Sequence, residues 1–283
     1  MKLIKHQAGL TLIELMVAGL LSVLVAFFIG NIVVSSNRSS TTNSGSAEAQ
    51  ESARFISTWL QQEIRRAAYS PSIAGSDLVP FAPLCVAPYD LPPANGAGCT
   101  YDSRMDDSPN DRVAINWLYT VDSESPRDQD TCNGTELVGI PDGTVLVDVY
   151  WITVGNQNDG YDDSLWCATY NGTTNTIIGT AQAIAAGIVG LQVQYGESPG
   201  KNANPNLATL KNVTRYVDAT QVINWDNVMT AKIAILTRSF NALAINEEKR
   251  AYILLDGEPY EYEDQVTRYP FTLTVDLPNK NWK

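Results

Sequence analysis

The sequence predicts an α+β protein in which a long N-terminal helix precedes a domain built on antiparallel β-sheet. Three observations lead to this prediction. Residues 10–34 form an apolar run whose only charged side chain is Glu14, residues 51–70 place apolar side chains at helical spacing, and short segments rich in Val, Ile, Tyr, Trp and Thr follow from residue 112 onward. Helical periodicity and strand composition therefore occupy separate parts of the chain, as is typical of this class.

The apolar run is long enough to cross a membrane. Its 25 residues would extend about 37 Å as a helix, and the hydrocarbon layer of a bilayer is about 30 Å thick. A secretory signal has a shorter apolar region followed by its cleavage site, whereas here the small residue Gly9 precedes the run. Lys2 and Lys5 place the N-terminus on the cytoplasmic side. Cleavage after Gly9 would leave the helix in place, so we expect residues 10–34 to be a retained transmembrane helix and the rest of the chain to be exported.

Two further segments precede the strand-rich region. Residues 35–50 read SSNRSSTTNSGSAEAQ, a polar composition that predicts a flexible interruption of the helix. Residues 51–70 place Ile56, Trp59, Leu60, Ile64 and Ala67 on one face of an amphipathic helix, which Pro71 would end. This face is expected to pack against the sheet of a β-rich ectodomain formed by residues 71–283.

Seven segments of the ectodomain predict strands, because each is rich in β-branched or aromatic residues and bounded by Gly, Asn, Asp or Pro. Asp218, with Gln221 three residues later, predicts a short helix before the fifth of them. The predicted strands are 112–120, 144–154, 164–170, 190–195, 232–240, 251–255 and 267–276.

Composition disfavours most enzymatic and nucleic-acid functions. The net charge is −12, and removal of residues 1–9 would leave 17 basic against 31 acidic side chains, which would repel a phosphate backbone. The single histidine, His6, lies in the leader, so the mature chain would lack a His base and His metal ligands. The chain also carries no nucleophile elbow, phosphate-binding glycine loop or metalloprotease helix. We expect a protein that is not an enzyme and has no cofactor.

All four cysteines, Cys85, Cys99, Cys132 and Cys167, lie in the exported part, where two disulfides are expected. Three connectivities are open. Pairing of neighbours, Cys85 with Cys99 and Cys132 with Cys167, is favoured because it would tie a proline-rich loop to itself and a second loop to a strand. The spacings fit no zinc module.

One loop carries the oxygen donors that calcium prefers, although it lacks the spacing and closing Glu of an EF-hand. Turns of the same composition are common in hairpins, so a calcium site is the weaker of the two interpretations. The residues concerned are Asn156, Asn158, Asp159, Asp162 and Asp163.

The N-terminus resembles the class III signal of type IV prepilins and pseudopilins. The resemblance rests on a short basic leader, Gly9, and then LTLIELMVA with Glu14 as the fifth residue of the mature chain. It implies that a membrane-embedded aspartyl peptidase cuts between Gly9 and Leu10 and that the new N-terminus is methylated. Leu10 stands where the family usually has Phe. A carboxylate is costly in lipid, and the resemblance implies that Glu14 pairs with the N-terminal amine of a neighbouring subunit when helices pack into a filament.

Later blocks of the chain are similar to the PilW family of type IV pilus minor pilins. The blocks are SARFISTWLQQEIRRAAYS, DRVAINW, GLQVQYGES and RYVDATQVINWDNVMTAKIAILTRS. The resemblance implies a pilin-like fold and a low-abundance subunit, anchored in the bacterial inner membrane with a periplasmic ectodomain and then placed at or near the pilus tip. The implied partners are other minor pilins, the major pilin, the prepilin peptidase and a tip adhesin, and the implied roles are pilus assembly, twitching, adhesion and DNA uptake.

Two alternatives remain open at this point. The ectodomain loops could act mainly as a recognition module or adhesin displayed on the pilus, since long exposed loops often carry function. The chain could also be a J-type pseudopilin of a type II secretion system, the related family of secretion subunits.

Overall fold

The computed structural model describes residues 11–70, 78–85, 98–103, 110–121, 129–153, 155, 163–199, 212–240 and 248–280. These residues form one long helix, α1, two four-stranded antiparallel sheets and a two-stranded hairpin. This confirms the predicted α+β class. The elements are α1 Leu12–Ile64, β1 Val113–Leu118, β2 Val145–Thr153, β3 Ser164–Asn171, β4 Ile177–Ala186, β5 Ile188–Glu197, β6 Arg215–Val217, β7 Val228–Arg238, β8 Glu248–Tyr252, β9 Tyr260–Asp264 and β10 Arg268–Asp276.

The helix α1 is continuous through residues 35–50, so the predicted flexible interruption was wrong. Hydroxyl groups that favour turns in isolation are here bonded to carbonyls of the preceding helical turn: Thr41 Oγ1 donates to Asn37 O at 3.0 Å and Thr42 Oγ1 donates to Arg38 O at 2.9 Å. From Gly45 onward, small side chains of α1 are buried against the ectodomain. Local hydrogen bonds therefore support the helix in the largely exposed residues 35–44, and tertiary packing stabilises it from Gly45 onward.

The helix also ends earlier than predicted, at Ile64 rather than beside Pro71. Ala68 adopts a left-handed backbone conformation with φ of 58°, which turns the chain. The next residues bond to β1, because Ala68 N donates to Asn116 O at 2.8 Å and Leu118 N donates to Tyr69 O at 2.9 Å. The segment that follows the helix is thus hydrogen-bonded to β1 rather than continuing as helix.

Each predicted strand segment overlaps an observed strand, with shifted ends. The strand predicted at 251–255 is Glu248–Tyr252, and the turn predicted as helix at Asp218 is the 3₁₀ turn Ala219–Gln221, whose amides at residues 220 and 221 donate to the Asp218 side chain. Three strands were missed, β4, β6 and β9. Their sequences, IIGTAQAIAA, RYV and YEYED, are rich in Ala and Gly, very short, or charged at alternate positions.

The strand order is β1-β2-β3-β4 in the first sheet and β10-β7-β5-β6 in the second, and β8-β9 is the separate hairpin. The chain passes from the first sheet to the second at Gly187, whose φ of 76° permits the sharp turn between β4 and β5. Gly187 N donates to Asp163 O and Gly187 O accepts from Arg238 N, both at 2.8 Å, so this turn is bonded to both sheets.

The main core lies between α1 and the inner faces of the two sheets. Ala53, Ile56, Leu60 and Ile64 of α1 are at most 1% exposed and belong to the same cluster as Leu191 and other apolar side chains of β5 and β7. Burying a Leu or Ile side chain stabilises a fold by roughly 1.5–3 kcal/mol. The C-terminal third of α1 is therefore an integral part of the ectodomain.

Two disulfides are present, Cys85–Cys99 with Cα atoms 5.1 Å apart and Cys132–Cys167 with Cα atoms 6.3 Å apart. This is the pairing of neighbours that the sequence favoured. Cys132 and Cys167 both lie in the main core cluster, where the second bridge ties the turn before β2 to β3.

Candidate functional site

The first half of α1 stands clear of the ectodomain. Every described side chain from Thr11 to Val34 is exposed, and the large apolar ones include Leu12, Phe27 and Phe28 at 62–79% exposure. Within the described residues, α1 is the one helix long and apolar enough to cross a membrane by length and composition. Residues 12–34 extend about 34 Å as a helix, which matches a hydrocarbon layer of about 30 Å.

Glu14 lies in the first turn of α1 and is bonded to the N-cap residue. Its Oε2 atom accepts from Thr11 N at 2.9 Å and from Thr11 Oγ1 at 2.8 Å, and Glu14 N donates to Thr11 Oγ1 at 3.4 Å. These reciprocal bonds form a capping box, which satisfies donors that the helix end would otherwise leave unbonded. The isolated subunit thus holds the carboxylate at the positive end of its own helix dipole. Gly9 and Leu10 lie outside the described residues, so cleavage and methylation there stay predictions.

A buried ion pair fixes the other end of α1 to the first sheet. Arg66 Nη1 lies 3.3 Å from Asp148 Oδ2 on β2, and the Arg66 guanidinium stacks over the Trp117 ring with its Cζ atom 3.3 Å from the centroid. Thr169 Oγ1 donates to Asp148 Oδ1 at 2.5 Å. Burial raises the pKa of Asp148, while the positive charge of Arg66 opposes this shift. Sequence analysis missed this pair because Arg66 follows an amphipathic helix, where a basic side chain usually faces solvent.

A second buried polar group connects the segment before β1 to the second sheet. Asp111 accepts from Ser103 N at 2.8 Å and from Val193 N at 2.7 Å, and Asn110 Oδ1 accepts from Leu191 N at 2.9 Å and from Tyr260 OH at 3.0 Å. Burial raises the pKa of Asp111 to about 7, although the two backbone amides lower it. In the sequence, Asn110 and Asp111 are recognisable only as polar residues just before a predicted strand. That position does not reveal the amides of the second sheet to which they bond.

A cavity of about 280 Å³ lies between the end of α1, the turn that carries Cys132, and β4. Trp59, Glu63 and Arg66 line it from α1 and the turn that follows, residues 130–134 line it from the Cys132 turn, and Ile184 lines it from β4. Glu63 is 4% exposed and its Oε2 atom accepts from Tyr150 OH at 3.3 Å. The lining is therefore mainly polar, with an aromatic wall at Trp59.

Most of the candidate calcium loop lies outside the described residues, namely Asn156, Asn158, Asp159 and Asp162. The fifth residue, Asp163, is described, and its Oδ1 atom accepts from Gly155 N at 2.7 Å. This carboxylate oxygen closes a turn, which is the hairpin chemistry weighed against calcium above. Calcium binding stays a prediction.

The described residues thus combine an exposed apolar helix with a β-rich domain whose core contains the C-terminal part of that helix. Residues 149–279 match the family model described as Type IV Pilus-assembly protein W, PilW, which is the family that the sequence blocks resemble. A solved structure of a type IV-like pilin from Thermus thermophilus is similar with a TM-score of 0.44 and 14% identity, over 81% of this chain and 96% of that chain. No curated protein sequence matches the chain.

Proposed function

We propose that this protein is a minor pilin that joins other minor pilins in an initiation complex at or near the tip of a type IV pilus and promotes assembly of the major pilin. One observation carries the proposal: the exposed apolar residues 12–34, with Glu14 at their start, continue without a break into a helix that is part of the ectodomain core. An exposed apolar surface of this length is typical of a segment that contacts a membrane or other protein subunits. The PilW match of residues 149–279 supports the same class of function.

The proposed chemistry is confined to the N-terminus. Cleavage after Gly9 would expose the amine of Leu10, and a neighbouring subunit's Glu14 would bind this amine in the filament. In the isolated subunit, the Glu14 carboxylate is bonded to Thr11 of its own helix, which reduces the cost of holding a charge in the membrane before assembly. On assembly, the Glu14 carboxylate would exchange its neutral donors on Thr11 for the charged amine of the neighbouring subunit. A charge-assisted bond of this kind is stronger, particularly in a helix bundle that excludes water.

The proposed location follows from the same helix. The subunit would be held in the bacterial inner membrane with its ectodomain in the periplasm, and would then enter the pilus. Glu14 would allow this subunit to pair with the N-terminal amine of an adjacent subunit in the filament. We therefore place the subunit near the tip rather than at the outermost position. Its partners would be the other minor pilins, the major pilin, the prepilin peptidase and a tip adhesin.

The test compares two replacements of Glu14 in cells whose own copy is deleted. Glu14→Gln keeps a capping-box acceptor for Thr11 but removes the charge, whereas Glu14→Ala removes both. If the carboxylate binds a neighbour's amine, both variants insert in the membrane with a folded ectodomain, and both fail to restore surface pili and co-purification with sibling pilins.

If Glu14 serves only as a helix cap, Glu14→Gln restores pili and the assembly role of the charge is refuted. If deletion of the whole chain leaves the number of surface pili and twitching unchanged, the minor-pilin proposal itself fails. Loss of type II secretion with pili intact would instead indicate a pseudopilin. Mass spectrometry of the native protein should find a chain that begins at N-methylated Leu10.

A further inference from the structure

We propose that oxidation of Cys132 and Cys167 to a disulfide controls how firmly the C-terminal end of α1 is held against the ectodomain. The turn at residues 130–134 links the two, because it carries Cys132 and contacts Arg66 immediately after α1. The inference rests on the proposed function in one respect, the export of the ectodomain into an oxidising compartment. The contacts that couple the bridge to α1 follow from the fold.

Arg66 joins this turn to the first sheet. Its Nη2 atom donates to Asp130 O at 3.2 Å, and its Nη1 atom lies 3.3 Å from Asp148 Oδ2 on β2. The side chains of Arg66 and Asp148 are 9% and 0% exposed. Disturbing a buried ion pair is costly, because it leaves a charge incompletely compensated in the protein interior. A displacement of Asp130 O would therefore weaken the attachment of Arg66.

Thr169 on β3 connects the turn to the same ion pair by a second route. Its Oγ1 atom accepts from Cys132 N at 2.9 Å and donates to Asp148 Oδ1 at 2.5 Å, and both bonds are buried. Cys167 lies two residues before Thr169, so the two side chains leave β3 on the same face. The disulfide and the hydrogen bond thus attach Cys132 to adjacent positions of one strand. Without the disulfide, non-covalent contacts alone would hold the turn there.

Formation of the bridge is a thiol–disulfide exchange. The two thiols lose two electrons and two protons, and the oxidant is a disulfide of another protein, which takes them up and becomes a dithiol. In the product, Cys132 is 7% and Cys167 0% exposed, and both belong to the core cluster that contains Leu60 of α1. Burial protects the sulfur atoms from further exchange. The coupling, once set by oxidation, therefore persists in the folded protein.

The other bridge offers a matched comparison, because its neighbours bond to each other and to β1. Cys85 N donates to Thr100 O at 2.8 Å, and Ala82 N, three residues earlier, donates to Ala114 O at 2.9 Å. The bridge Cys85–Cys99 therefore joins two segments beside the edge of the first sheet. Its oxidation should affect this edge rather than the end of α1.

The first experiment measures hydrogen–deuterium exchange of the purified full chain in detergent, with peptides resolved by mass spectrometry. The variant Cys85→Ala with Cys99→Ala retains Cys132–Cys167 and is compared in its oxidised and reduced states, the gain of two hydrogens confirming reduction. Native-state exchange reports local opening as well as global unfolding. We expect reduction to accelerate exchange in residues 57–66 about tenfold more than in residues 268–276 of β10.

The variant Cys132→Ala with Cys167→Ala, which retains Cys85–Cys99, is the control. Residues 57–66 should already exchange faster in its oxidised state, relative to residues 268–276, because the 130–134 turn is not covalently held. Reduction of Cys85–Cys99 should then accelerate both regions equally, to within about twofold.

A third variant tests the route through Thr169 with both bridges intact. Thr169→Val keeps the shape of the side chain and removes the hydroxyl that joins Cys132 N to Asp148. Loss of these buried hydrogen bonds should accelerate exchange in residues 57–66 about fivefold more than in residues 268–276. Thr272→Val, the same change at an exposed position of β10, should not.

Unchanged exchange in residues 57–66 after confirmed reduction refutes the coupling. An equal acceleration in residues 57–66 and 268–276 also refutes it, because it would indicate a uniform loss of stability. Unchanged exchange in Thr169→Val refutes the route through the hydrogen bonds. These measurements use purified protein, so their outcome is independent of piliation, and the Glu14 variants test the proposed function separately.

Discussion

The disulfide Cys132–Cys167 should contribute more to stability than the other bridge, because it closes a longer loop. The two bridges join residues 35 and 14 positions apart. In the loop-entropy description these loops correspond to about 4 and about 3 kcal/mol of stabilisation. For a domain of this size, 1 kcal/mol shifts the melting temperature by roughly 2–4 °C. Breaking Cys132–Cys167 alone should therefore lower the melting temperature by about 8–16 °C.

The assay is thermal unfolding of the full chain in detergent, followed by tryptophan fluorescence. The variant Cys85→Ala with Cys99→Ala keeps the second bridge, and adding reductant to it breaks the Cys132–Cys167 crosslink without removing either buried sulfur. This separates the crosslink from packing in the core. A shift of less than about 2 °C on reduction would refute the reasoning, since it would mean that residues 132–167 are already constrained in the unfolded chain.

Three further predictions concern the ectodomain. Leu60 is 0% exposed, so Leu60→Ala should lower the free energy of unfolding by about 3–5 kcal/mol in a urea titration. Phe55 on the same helix is 66% exposed, so Phe55→Ala should change it by less than about 1 kcal/mol. Equal effects of the two variants would contradict the packing of α1 against the sheets. Gly190→Ala places a Cβ 2.8 Å from Leu236 Cβ and should cost about 1–3 kcal/mol by forcing β5 and β7 apart, so an unchanged melting temperature would contradict the packing of β5 on β7. Burial raises the pKa of Asp111 to about 7, so the folded state keeps a proton that the unfolded state releases above about pH 4. The free energy of unfolding should therefore decrease as the pH rises from about 4 to 7, by at most about 1.4 kcal/mol per pH unit. Asp111→Asn should abolish that part of the slope between pH 4.5 and 7.5, and an identical slope in both proteins would rule the mechanism out.

Local sequence patterns predicted much of the architecture. The apolar run at residues 10–34 and the amphipathic residues Ile56, Leu60 and Ile64 predicted the two ends of α1, because helical spacing directly reports which face is buried. They could not predict that α1 continues through residues 35–50. The end of this stretch is held by contacts that are remote in sequence: Gly45 and Ala49 are buried, and Thr237 Oγ1 of β7 donates to Ala49 O at 2.8 Å.

The candidate site divides in the same way. Glu14 was identified because a carboxylate in an apolar run is conspicuous by itself, and its bond to Thr11 is local. The pairs of Arg66 with Asp148 and of Asp111 with Val193 join residues 82 positions apart, so no local pattern contains them. The strand β4, which contributes Ile184 to the cavity, was missed because Ala-rich segments have low β-propensity.

The unbroken helix has a mechanical consequence. Each residue of an α-helix advances about 1.5 Å along the axis and turns about 100° around it. Because α1 is continuous, it fixes both the axial distance and the rotational orientation of Glu14 relative to the sheets. One residue inserted among residues 35–44 would turn the anchor by about 100° against the ectodomain, whereas seven inserted residues would bring it back to within about 20°. The apolar N-terminal half of α1 and the ectodomain are therefore rigidly joined, so that a rotation or a displacement of one is passed on to the other.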